Sequence, residues 1–227
     1  MKLNLNGLIS LEGIIIPDGL TELMITGSKL TSLPPLPPSL TRLYCNCGSL
    51  TSLPPLPPSL TMLSCYENQL TSLPPLPSTL THLDCSRNQL TSLPPLPQSL
   101  SGLFCVGNQL VSLPPLPSSL TELNCFNNKL TSLPLLPPSL IMLDCGYNEL
   151  PSHYCGGGRD KSIKELRVVI RMDRWKKGLT IVSGLILERA ARNIQRVWKR
   201  YWLEPYHDPL LGYPVSRYLL LHYQHQL

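Results

Sequence analysis

The chain has 227 residues, 25 of them proline, with only 15% charged side chains, eight cysteines and a net charge of +5. Proline at that density excludes a helical bundle, because the ring removes a backbone donor and clashes with the preceding helical turn. No apolar run approaches the ~20 residues of a membrane span, and the opening MKLNLNGLISLEGIII, broken by Asn4, Asn6 and Glu12, is a poor secretory signal, so a soluble protein is expected.

Residues 1–19 read as a cap over a first strand. From residue 20 to 152 a 20-residue unit recurs, clearest in LPPLPPSLTMLSCYENQLTS from Leu53 and again from Leu73, Leu93 and Leu113. A fixed period of this length marks a solenoid, whose units cannot bury their apolar faces until they stack. Leucine columns run from Leu23 to Leu143 and from Leu30 to Leu150, and each unit reads L-x-x-L-x-C-x-x-N-x-L. That pattern resembles the leucine-rich repeat family, with cysteine in place of the third leucine of its strand. The resemblance implies a parallel β-sheet of about seven strands, since neighbouring strands lie ~4.8 Å apart and stack one per unit.

Each strand is followed by a segment such as LTSLPPLPPSL, where Pro54, Pro55, Pro57 and Pro58 forbid a helix, so the convex return is expected to be extended and polyproline-like. This resembles the shortest repeat subtype, found in bacterial effectors injected into host cells and in repeat proteins of large DNA viruses of amoebae. Of the 25 prolines, 20 lie in these segments and stiffen the convex side. PPLP also resembles a WW-domain ligand, but Leu33, Leu53 and their equivalents are needed in the core.

Side chains alternate across a strand, so Leu63 and Cys65 share the core face while Met62, Ser64 and Tyr66 face outward. The outward positions differ from unit to unit. Among them Arg42, Tyr44, Met62, Tyr66, His82, Asp84, Phe104, Glu122, Phe126 and Asp144 form the candidate partner-binding set. Aromatic residues anchor protein interfaces, and large apolar groups on an open sheet need a reason. Free drift in a recently duplicated array is the other reading of these positions.

Cys45, Cys65, Cys85, Cys105, Cys125 and Cys145 fall in one core-facing column, where a free thiol packs as a small hydrophobe. There is no C-x-x-C pair, and no metal site or cofactor is expected. Unpaired thiols suit a reducing compartment, which points to an intracellular, cytoplasmic protein. Cys47 and Cys155 stand outside the column as the accessible thiols. The column Asn68, Asn88, Asn108, Asn128 and Asn148 is expected to bond backbone groups of adjacent turns, more weakly where Ser28 and Gly48 replace asparagine.

The array ends near Ser152, and residues 153–160, containing CGGGRD, read as a glycine-rich joint. Residues 1–150 hold five basic and eight acidic side chains, net −3, whereas 151–227 hold 14 and six, net +8. The basic tail, 161–227, is expected to be helical over 162–177 and 180–202, with a shorter apolar helix near 215–223. Over 180–202 an apolar stripe from Val182 to Tyr201 lies opposite Arg189, Arg192, Arg196, Lys199 and Arg200. Such a helix suits docking on the open end of the solenoid, a partner protein or an anionic membrane surface.

IQRVWKRYW resembles the start of a calmodulin-binding IQ motif through Ile194, Gln195 and Lys199, with Trp198 and Arg200 alongside. It departs from that motif because Arg200 replaces its glycine and Glu204 its second basic residue. The sequence lacks a nucleic-acid module, and nucleic acid is not an expected partner. No nucleophile–base pair, paired carboxylates or phosphate loop stands at usable spacing. Effectors with this repeat subtype often carry a ubiquitin ligase domain with a C-x-D cysteine, whereas Cys155 opens CGGGRD and only about 70 residues follow it. The expectation is a non-catalytic scaffold that binds a protein on its concave face; the alternative is an adaptor recruiting calmodulin or lipid through 180–202.

Overall fold

The computed structural model describes residues 1–7, 16–151, 155, 156, 159, 160, 163, 166 and 170. Eight three-residue strands form one parallel sheet in chain order: β1 (Lys2–Asn4), β2 (Glu22–Met24), β3 (Arg42–Tyr44), β4 (Met62–Ser64), β5 (His82–Asp84), β6 (Gly102–Phe104), β7 (Glu122–Asn124) and β8 (Met142–Asp144). Every pairing advances by 20 residues, Leu3 against Leu23, Leu23 against Leu43, and onward to Leu123 against Leu143. The sheet therefore has one strand more than the seven read from the sequence. Leu3 and Leu5 take the places that Leu23 and Ile25 hold in the next rung, and residues at the start of the chain form a rung of their own.

The central leucines from Leu23 to Leu123 are at most 1% exposed. Burying one such side chain contributes roughly 1.5–3 kcal/mol, and each does so only because the rungs on either side supply the rest of its surroundings. The return segments carry neither helix nor strand. They end in a turn closed by a further leucine column, in which Leu60 N–H donates to Pro57 O at 3.1 Å, with equivalents at Leu40, Leu80, Leu100, Leu120 and Leu140. Proline at the second turn position suits this geometry where it occurs, as at Pro58.

Three polar ladders tie the rungs together. Asn108 donates Nδ2 to Cys105 O in its own rung (3.2 Å) and Cys85 O in the previous one (3.0 Å), while its Oδ1 accepts from Leu90 N–H (3.0 Å). Asn68, Asn88, Asn128 and Asn148 repeat this arrangement. The serines and threonines, anonymous in the sequence, form the other two ladders. Thr61 and Thr81 bond the carbonyls of Thr41 and Thr61 (3.0 and 2.9 Å), and Ser99 and Ser119 bond those of Leu80 and Leu100 (both 2.7 Å). The first of these ladders stops at Ile141, which is 78% exposed.

Beyond the repeats, β9 (Cys155–Gly156) pairs antiparallel with β10 (Arg159–Asp160) within the glycine-rich stretch. Ile163, Leu166 and Ile170 are helical, spaced to share one helix face, and belong to or pack against the same apolar core as the repeats. The chain divides into the units Met1–Arg171 and Met172–Leu227, and every described residue lies in the first. The expected helix 180–202 and the apolar helix near 215–223 lie outside the described residues. No helix among the described residues is long and apolar enough to cross a membrane.

Candidate protein-binding face

Because each strand has a leucine at its centre, the residues before and after that leucine face away from the core. Parallel register lines them up into rows along the solenoid. One row runs Glu22, Arg42, Met62, His82, Gly102, Glu122, Met142; the other runs Met24, Tyr44, Ser64, Asp84, Phe104, Asn124, Asp144. Just past the strands stand Asn46, Tyr66, Ser86, Val106, Phe126 and Gly146. All ten candidate residues thus lie on one surface, brought together by topology from positions up to about 100 apart in sequence.

The two ends of that surface differ in how far its groups are already occupied. Toward the N-terminus, Glu22 is only 8% exposed and accepts from Arg42 Nη2 (2.6 Å) and Nε (2.9 Å), with Lys2 Nζ at 3.1 Å. Lys2 and then Arg42 hold its carboxyl below the usual range, against the opposing effect of burial. Tyr44 Oη donates to Met62 Sδ at 2.9 Å, and Ser64 Oγ bonds Asn46 Oδ1 at 2.8 Å.

Toward the C-terminus the side chains face outward with fewer partners. The two ion pairs among the described residues both involve Glu22, so Asp84, Glu122 and Asp144 have none there. Asp84 Oδ1 accepts from Ser86 N–H (3.0 Å) and Asp144 Oδ1 from Gly146 N–H (3.3 Å). Phe104, Phe126, Tyr44 and Tyr66 are half-buried rather than fully exposed. Glycines make room for the two phenylalanines: a Cβ on Gly102 would stand 3.4 Å from the Phe104 ring, and one on Gly146 would stand 3.2 Å from that of Phe126. His82 leans on Gly102 as well, and its Nδ1 lies 3.0 Å from Thr81 Oγ1.

Two residues missed in the sequence adjoin this surface. Arg87 places its guanidinium 5.5 Å from the centroid of the Tyr66 ring, and Tyr147, 79% exposed, lies 4.9 Å from Phe126. Both occupy the position after the outward triplet, which has positive φ in rung after rung: Gly27, Cys47, Glu67, Arg87, Gly107, Asn127 and Tyr147. Two glycines and an asparagine in one column are the signal that would have exposed it. Glu67 is the first cause of the raised Tyr66 phenol, through a hydrogen bond.

The thiols divide as their exposure dictates. Cys65, Cys85, Cys105 and Cys125 are fully buried and Cys45 nearly so, and burial pushes Cys45 up to about 12. The Sγ atoms of Cys45, Cys85 and Cys105 donate weakly to the next rung, as Cys105 does to Asn124 O at 3.5 Å. Cys145, at the last rung, is half-buried. Cys47 is exposed, donates to Glu67 Oε2 at 3.6 Å, and is itself raised by desolvation and then by that carboxylate, the opposite of an activated nucleophile. Cys155 as a thiol, and the tail residues Ile194, Gln195, Trp198, Lys199 and Arg200, lie outside the described residues. Among the described residues no cluster of three or more His, Cys, Asp or Glu side chains suits a metal ion.

A leucine core, an asparagine ladder and one open face of a parallel sheet define a leucine-rich solenoid. The family of leucine-rich repeats (2 copies) matches residues 58–98. Among solved structures, the Shigella effector LRR domain is 34% identical at a TM-score of 0.57, covering 67% of this chain and 71% of that one. The chain belongs to the leucine-rich repeat family. YopM from Yersinia enterocolitica is 40% identical at a TM-score of 0.59 over 60% of this chain, which spans only 30% of YopM's length. No curated protein matches the sequence.

Proposed function

We propose that the protein is a non-catalytic scaffold that binds a partner protein through the concave face, with Tyr66, Phe104 and Phe126 as apolar anchors and Asp84, Glu122 and Asp144 giving polar selectivity. The observation that carries this reading is the contrast between a core repeated almost without change and outward rows that change residue type at every rung. A rigid frame of this kind lowers the ordering cost of association. The strict 20-residue period supports the short LPxLP subtype, and the column of free thiols supports an intracellular, cytoplasmic setting.

The test compares proteins captured from cell lysate by the full chain and by the full chain carrying Tyr66→Ala, Phe104→Ala and Phe126→Ala. Loss of specific partners from the triple variant, with its circular dichroism unchanged, supports the concave face. Retention of those partners, together with their loss on changing Ile194, Gln195 and Trp198 to Ala, would transfer recruitment to the basic segment.

A further inference from the structure

The concave face is chemically lopsided. Around Glu22 one carboxylate is paired with two cations, Lys2 and Arg42, whereas from β5 to β8 three carboxylates, Asp84, Glu122 and Asp144, carry no ion pair among the described residues. Of the basic groups near them among the described residues, His82 contacts Thr81 and Arg87 stacks on Tyr66. Between the carboxylates lie the Phe104 and Phe126 rings, and Met142 beside them is 56% exposed. Register places Asp84, Phe104, Asn124 and Asp144 side by side in one row, so the outer two carboxylates are three strand spacings apart, about 14 Å.

Resting on the concave-face reading, we infer that this C-terminal half of the face receives a cationic segment of a partner protein. The segment runs along the solenoid axis and presents two Lys or Arg side chains with an apolar one between them. An extended chain rises ~3.3 Å per residue and repeats its facing every second residue, so positions i, i+2 and i+4 span about 13 Å on one side. Basic residues at i and i+4 then reach Asp84 and Asp144, while the apolar residue at i+2 settles near Phe104 and Asn124. Glu122, in the neighbouring row, offers a third acceptor. Aromatic faces beside carboxylates suit such a segment twice over, because they hold both its methylene stems and its charge.

The probe is a fluorescein-labelled seven-residue peptide with lysines four positions apart around a central leucine, with a matched peptide carrying glutamates instead. Anisotropy is read against the full chain at 50 and 300 mM salt. The lysine peptide should bind, the glutamate peptide should bind at least tenfold more weakly, and added salt should weaken the lysine peptide severalfold. Combining Asp84→Asn, Glu122→Gln and Asp144→Asn should cost the lysine peptide tenfold or more, whereas the off-face pair Asp18→Asn with Glu149→Gln should leave it unchanged.

Equal binding of the lysine peptide to the wild type and the three-carboxamide variant overturns the cationic assignment. If Phe104→Ala with Phe126→Ala still abolishes partner capture from lysate in that case, the concave-face reading survives alone; if it does not, both fall. Self-association of the wild-type chain at low salt, absent from the carboxamide variant, would make a second copy the occupant and overturn the separate partner.

Discussion

Arg87 and Tyr147 reach the edge of the open sheet face from a backbone conformation that L-residues avoid. The same column holds Cys47, Glu67 and Asn127, with φ between 51° and 58°, and glycine at positions 7, 27 and 107. A left-handed residue with a Cβ costs about 1–2 kcal/mol relative to glycine's freedom there. Gly27 isolates that cost, because a Cβ built on it meets nothing within 4 Å. Gly27→Ala should therefore destabilise the chain by about 1 kcal/mol in urea unfolding, with no loss of contacts to account for it. No change on that substitution would mean the turn relaxes out of the left-handed region when glycine is absent. The outward triplets were legible residue by residue, since two-residue alternation about a leucine assigns each side chain to a face. The left-handed column was legible only through Gly27, Gly107 and Asn127, because Cys47, Glu67 and Arg87 read as ordinary surface residues and nothing in their side chains reports φ.

At the scale of the repeat, the asparagine ladder joins rungs that otherwise meet through leucine packing and strand pairing. Asn108, 3% exposed, bonds three carbonyls and one N–H drawn from two rungs. Asn108→Ala leaves Leu90 N–H and the Cys85 carbonyl without that partner inside the core, a loss of about 2–6 kcal/mol given 1–3 kcal/mol for each buried group left unsatisfied. Asn148 makes the same bonds at the half-buried last rung, where water can substitute, so Asn148→Ala should cost less than half as much. Paired urea melts decide this, and equal losses at the two positions would show that burial does not set the ladder's strength. The columns of leucine, cysteine and asparagine made the element predictable from sequence. What periodicity could not supply was the role of the serines and threonines, whose hydroxyl bonds run to carbonyls one repeat away and depend on the register only the folded stack provides. The strand at Lys2–Asn4 was hidden for a related reason, since its rung shares the leucine spacing of the repeat but lacks the cysteine and asparagine that made the others visible.

For the whole molecule, the thiol column couples stability to pH. Burial raises Cys65, Cys85, Cys105 and Cys125 above the ordinary value of 9.0 and takes Cys45 to about 12. A buried thiol that resists ionisation binds its proton more tightly in the folded chain than in the unfolded one. The stabilisation this brings is fully present below pH 9 and is lost as pH rises from 9 toward the folded values. Each such thiol then removes about 1.4 kcal/mol per pH unit across that window. Unfolding free energy measured under reducing conditions should hence be nearly level from pH 7 to 8.5 and fall steeply above 9. Tyrosines and lysines also titrate there, so the decisive quantity is a difference: Cys85→Ala with Cys105→Ala should lower stability at pH 7.5 yet flatten the alkaline slope by up to about 2.8 kcal/mol per pH unit. In a solenoid each rung leans only on its neighbours, and ionising a mid-column thiol should open the stack from its centre. Parallel slopes for the two proteins would show instead that the column admits water before its thiols ionise, and that the alkaline transition begins elsewhere in the chain.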